Sequence, residues 1–197
     1  MPHAYRPSVH YPRRGPRNPE LVSDLCFIGT AFRSRVEFFE KMDLAGLDVL
    51  IGGADWGSVD PGSPLAPFIG SGVGNPDCVD NTEAARLYRH AKAGLNFYRR
   101  ETAEAENWDG TAWAMGPREI ELAATELFFL RDPRPEGDEV LSMLPTFTGP
   151  EDASGKLRWW LAHDREREKR AAQARAAIAD RTFTANARRL LQLLDRI

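Results

Sequence analysis

Two apolar runs that each close on glycine constrain this chain more than any other feature: residues 25–29 (LCFIG) and residues 48–53 (DVLIGG), with an amphipathic stretch over residues 33–42 between them. Short apolar runs bounded by turn residues fit strands buried on both faces. A helical stretch joining two of them predicts a β-α-β unit of a parallel sheet. Gly29, at the end of the first run, allows a ligand close approach to the backbone. The G-x-G-x-x-G fingerprint is missing, so a nicotinamide dinucleotide has little support.

The alternation continues along the chain. Residues 81–90 read as a helix, 93–98 as a strand ending beside Arg99 and Arg100, and 127–131 as a further strand. Residues 55–80, rich in Gly, Pro, Asp and Ser, form a long irregular excursion with one apolar island at 65–69, and an N-P-D turn precedes Cys78. Residues 132–139 read as an acidic turn, which makes Glu136 and Glu139 candidates at the carboxyl ends of the strands, although a solvated turn is the commoner outcome. Beyond it, residues 157–161, 171–179 and 183–197 favour helices. In the last, Leu190, Leu191, Leu194 and Ile197 make an apolar stripe suited to packing on the sheet or closing over another domain. Trp159 and Trp160 suit helix-to-core packing better than stacking on a base. Residues 1–20, with several prolines and arginines and no apolar period, read as an extended, solvated arm or linker before a domain over residues 21–197.

Functional chemistry concentrates in residues 115–124 (MGPREIELAA). Pro117 fits the first turn of a helix, whose free amides and positive dipole end favour an anion. Arg118 adds a paired donor for phosphate oxygens, and Glu121, one turn further on, suits accepting hydrogen bonds from two ribose hydroxyls. The competing reading is an ordinary capped helix with an i,i+3 surface pair. A net charge of −3 argues against a broadly basic nucleic-acid surface but not against a nucleotide. Two cysteines do not make a disulfide scaffold, and no apolar run has export or membrane-spanning length, so a soluble cytoplasmic protein is expected. His3, His10, His90 and His163 form no compact ligand motif, and neither a metal site nor a Ser-His-Asp arrangement is expected.

Several segments together resemble the C-terminal domain of group-1, GT-B-type glycosyltransferases, especially the spore-maturation CgeB-like branch. They are FIGT at 27–30 with Arg35 beyond it, CVDN-x-x-AA-x-LY at 78–88, AGLNFYRR at 93–100, PREIELAA at 117–124, and the tail over 159–194 with RTFT at 181–184. The resemblance implies a Rossmann-like α/β fold, a parallel sheet flanked by helices, with a helical C-terminal extension. It also implies a nucleoside-diphosphate sugar, a UDP-sugar first among them, as donor substrate, with no tightly bound cofactor. By position in the family pattern, Arg118 and Arg35 are the catalytic, diphosphate-side residues and Glu121 is the ribose acceptor. Gly29, Thr30, Asn96, Arg99 and Gly116 complete the donor-binding set.

Two departures bear on activity. Thr125 and Glu126 stand where many relatives carry a small residue and glycine. The acceptor-binding domain, which precedes the donor domain in such enzymes, has no counterpart in the sequence before residue 21. The expectation is therefore a glycosyltransferase donor domain acting with an acceptor-domain partner or as a homo-oligomer. The alternative is a non-catalytic nucleotide-sugar-binding or structural module. No nucleic-acid partner is expected.

Overall fold

A computed structural model describes residues 1–70, 78–100 and 112–195. The two glycine-closed runs are β1 (Ser23–Ile28) and β2 (Val49–Gly52), joined by α1 (Arg33–Glu40). Then follow α2 (Asn81–His90), β3 (Ala91–Asn96), α3 (Pro117–Ala124), β4 (Phe128–Arg131), α4 (Pro135–Val140), α5 (Pro150–Leu161), α6 (Asp164–Ala177) and α7 (Phe183–Leu194). The four strands form one parallel sheet in the order β2-β1-β3-β4. This is the α/β architecture expected. The excursion after β2 contains two short 3-10 turns, Trp56–Ser58 and Ala66–Phe68, and the N-P-D turn before Cys78 lies outside the described residues.

The strands are buried on both faces, and alternate side chains on β1 serve different layers. The ring of Phe27 meets Phe39 of α1 edge-on at 4.9 Å, whereas Cys26 faces Tyr88 of α2. Burial pushes the Cys26 thiol up to about 12, so it is an inert core group. Because the chain runs from β1 outward to β2 and then returns to β3 on the other side, the ends of β1 and β3 diverge. Such a reversal of strand order leaves a crevice at the carboxyl ends of the strands.

Thr125 and Glu126 preserve a tight turn out of α3. The Thr125 hydroxyl donates to the Leu122 carbonyl at 2.9 Å, and Leu127 N–H returns to the same carbonyl at 3.1 Å. Glu126 occupies the left-handed region, φ 58°, where glycine ends many helices. The glutamate costs about 1 kcal/mol there without changing the path of the chain.

Two expectations are corrected. Residues 135–140 are a helix rather than an acidic turn. Pro135 opens it, and Glu136 is buried, accepting from Met115 N–H at 2.8 Å and ion-paired with Arg181 at 2.6 Å. Glu136 thus works inside the fold and exposed Glu139 lies off the cleft described below. The arm is not a solvated linker. Tyr5 N–H donates to Arg181 O at 2.9 Å, Arg89 of α2 donates to Val9 O at 3.0 Å, and Asn18 N–H donates to His90 Nδ1 at 2.9 Å. Of the two roles expected for the leucine stripe of α7, packing on the sheet is not the one taken, since Leu190, Leu191 and Leu194 are exposed, while Ile197 lies outside the described residues. The helix is tied instead to the arm through the Tyr5–Thr182 bridge and Asn186. Trp160 packs on Phe128 at 4.7 Å, and the more exposed Trp159 stacks on His163.

Candidate functional site

A cleft of about 310 Å³ opens at the carboxyl ends of β1 and β2, closed on its other side by α2 and the first turn of α3. Its floor is a close crossing of two loops. Gly53 has φ 121°, and a Cβ there would stand 2.4 Å from Gly29 O and 2.9 Å from Gly29 N, so only glycine fits without displacing backbone. Gly29 is also held from outside by its N–H to Gly52 O at 2.8 Å and by Trp56 Nε1–H to its carbonyl at 2.6 Å.

Arg118 lies over this floor. A Cβ on Gly29 would come within 2.5 Å of Arg118 Nη2, which shows how closely the guanidinium follows the backbone. Its carbon sits 5.2 Å from the Phe27 ring centroid, and among the described residues no carboxylate lies within 4.0 Å of it. Glu121 follows on the same face of α3, three residues on, and both line the cleft with Thr30. Burial pushes the Glu121 carboxyl above the usual range, an effect opposed by Arg118. Buried Tyr88 borders the same two side chains, and burial raises its phenol.

The remaining expected residues have other surroundings. Arg35 shares the inward face of α1 with Phe38 and Phe39. Its Nε and Nη2 donate to Phe97 O at 3.2 and 3.1 Å, and Nη1 donates to Thr30 O at 3.0 Å. It clamps the diverging ends of β1 and β3, and although it does not line the cleft its Nη1 would stand 3.3 Å from a Cβ on Gly29, on the same side as Arg118. Asn96 is buried beside Tyr98, also off the wall, and exposed Arg99 lies 5.5 Å from the Phe32 ring at the crevice mouth. Gly116 N–H, expected to face a ligand, is taken inside the protein by Tyr98 Oη at 2.8 Å and Glu119 Oε2 at 3.0 Å. Glu119 is the third residue of α3 and reaches back to the residue before the helix, as in a capping box.

Sequence reasoning passed over Gly53 and Tyr88 as site residues. The signal for Tyr88 was its helical spacing from Asn81 and Ala84, with which it shares the cleft wall. His10 was missed as well. Carried by the arm, it is buried with Nε2 3.9 Å from Glu121 Oε1, and burial followed by neighbouring arginines lowers its pKa. Among the described residues no three His, Cys, Asp or Glu side chains gather as a metal-binding group, and no helix is long and apolar enough to cross a membrane.

The fold is similar to that of sucrose-phosphate synthase from Thermosynechococcus elongatus, with a TM-score of 0.67 at 13% sequence identity. The match covers 99% of this chain and 51% of that one, so the chain spans about half the length of that GT-B glycosyltransferase. No curated protein sequence matches significantly. Residues 33–195, from the start of α1 to the end of α7, match the family described as glycosyl transferase-like. The chain is a member of that glycosyl transferase-like family.

Proposed function

We propose that this chain is the donor-binding domain of a GT-B glycosyltransferase, of the CgeB-like branch, and that its cleft holds a nucleoside-diphosphate sugar, a UDP-sugar first among the candidates. The observation that carries the reading is the placement of Arg118 over Gly29 with Glu121 one turn away, in the crevice at the reversal of strand order. Arg118 pairs with the diphosphate, Gly29 and Thr30 let it approach the backbone, and Glu121 accepts hydrogen bonds from the ribose hydroxyls. In glycosyl transfer the bond from the anomeric carbon to the diphosphate oxygen breaks and its electron pair leaves on the phosphate. A fixed guanidinium stabilises that developing charge. An acceptor domain completes the reaction.

A specific feature favours a second reading, a nucleotide-sugar-binding module without transferase activity. Arg35 and the Gly116 amide are engaged within the protein, which leaves Arg118 the principal cation of the cleft.

Calorimetry with UDP-, GDP- and ADP-sugars, with and without magnesium, tests donor binding. Arg118→Ala and Glu121→Ala are each expected to weaken it by about tenfold or more, the worth of a charge-assisted hydrogen bond. Unchanged affinity in both folded variants would refute the role assignments. Glycosyl transfer on mixing with an acceptor-domain partner separates the enzyme from the binding module.

A further inference from the structure

Toward the C-terminal end of α2, beyond the donor cleft, the docked arm encloses a groove made of two adjoining hollows of about 260 and 570 Å³ that share Arg13 and Arg89. The first has Ala91 and Phe128, the starts of β3 and β4, on its wall, together with Arg17, Lys92 and Arg167. The second opens between Tyr11 and Arg14 of the arm and Arg86 of α2. In a chain of net charge −3 this is a marked segregation of positive charge.

Part of that charge is neutralised locally, by Glu83 at Arg86, Asp24 at Lys92 and Asp164 at Arg167. Among the described residues, Arg13, Arg14, Arg17 and Arg89 have no carboxylate within 4.0 Å. Glu126 and Glu168 also stand on the wall; Glu126 is directed to Arg175 at 3.7 Å, and Glu168 with Asp164 offsets part of the repulsion felt by Arg17 without reversing it. The Nε of Arg17 is buried without an acceptor. The Tyr11 ring lies 4.3 Å from the Arg89 guanidinium carbon and 5.6 Å from that of Arg14. The crowding is felt by neighbouring groups: His90 is lowered by burial and then by Arg13 and Arg89, and Arg17 by burial and then by Arg13. A field of like charges held this close destabilises the fold that carries it, and a multivalent anion relieves the repulsion.

We propose that this groove is a second anion site, separate from the donor cleft, that binds a ligand carrying adjacent phosphate groups. Clustered guanidinium groups suit phosphate because each presents a planar fork of donors. The same chemistry is met in a soluble polyphosphate and in phosphomonoester headgroups at a lipid surface.

Inorganic tripolyphosphate is the probe. Calorimetry on the whole chain is expected to show binding that weakens steeply with salt, survives Arg118→Ala, and falls by about tenfold or more in Arg13→Gln/Arg17→Gln. Among the described contacts neither of those two arginines makes a hydrogen bond or ion pair, so the double variant is expected to fold, which a circular dichroism melt checks. Failure of the unaltered protein to bind, full binding by the double variant, or loss in Arg118→Ala would each overturn the proposal. The last would assign the phosphate to the donor cleft, and the donor reading itself stands or falls on the sugar-nucleotide panel. Co-sedimentation with phosphatidic acid vesicles, reversed by tripolyphosphate, would identify a lipid-borne phosphate. Tripolyphosphate binding without co-sedimentation would identify a soluble one.

Discussion

Replacing Gly53 by alanine puts a methyl group where two backbone segments cross. The new Cβ would lie 2.4 Å from Gly29 O, 2.7 Å from Gly29 C and 2.9 Å from Gly29 N, all backbone atoms that cannot swing aside. The residue also sits at φ 121°, a region that costs an L side chain about 1–3 kcal/mol. Relieving the overlap requires Gly29 to move, which disturbs its bonds to Gly52 O and from Trp56, each worth about 1 kcal/mol. The sum is about 4 kcal/mol, a large fraction of the roughly 5–15 kcal/mol that stabilises an ordinary domain. Gly46 is the matched control. It too has a positive φ, 72°, but no atom within 4 Å of a built Cβ, so Gly46→Ala is expected to cost only about 1 kcal/mol of backbone strain. Urea unfolding of both variants measures the difference directly. If Gly53→Ala were no more destabilised than Gly46→Ala, the crossing of the two loops would not be the rigid floor described, and the cleft would lose its structural basis.

Gly29→Ala should behave differently, because its Cβ meets no backbone: the closest atom is the movable end of Arg118 at 2.5 Å, with Arg35 Nη1 at 3.3 Å a few tenths of an ångström too near. Unfolding should change by about 1 kcal/mol or less, while affinity for a sugar nucleotide falls by about tenfold as the guanidinium is displaced. His10 supplies a pH prediction. Its folded pKa lies below 6.5, chiefly because it is buried, so the folded state binds fewer protons than the unfolded chain just below that pH. Stability is therefore complete above 6.5 and is lost as pH falls toward the folded pKa. Thermal melts of His10→Gln should show a flatter dependence between pH 5 and 6.5, and an unchanged slope would place the titration elsewhere.

The sheet was legible because strand burial leaves a mark in the sequence: each of the four strands is a short apolar run with a turn signal near it. The helix α4 was not, since its Pro, Gly and acidic residues also suit a turn. What decides it is the partnership of Glu136 with Met115 N–H and Arg181, both distant in sequence. The cleft divides in the same way. Arg118 and Glu121 were readable from helical spacing alone, and Gly29 from its place at a strand end. The direction of Arg35 depends on which face of α1 meets the sheet, and the fate of the Gly116 amide on Tyr98, which lies just past the end of β3. His10 enters only through the fold of the arm, to which no periodic pattern points.

The two glutamates of the P-R-E-I-E segment show how one turn of helix divides structural and ligand-facing work. Successive residues on an α-helix are rotated by about 100°, so Glu121 returns to within about 60° of Arg118, whereas Glu119 is carried toward the core. Buried completely, Glu119 pairs with the Tyr98 hydroxyl and the Gly116 amide, and burial raises its pKa. It thereby fixes the start of α3 against Tyr98, just past the end of β3, beside Phe97, whose carbonyl holds Arg35. The Gly116 amide thus anchors the start of the helix that carries Arg118 and Glu121, while Arg35 ties together the segments that follow β1 and β3. A cleft with few polar side chains on its wall can still be well ordered, because the groups around it have been used to set the geometry of those that line it.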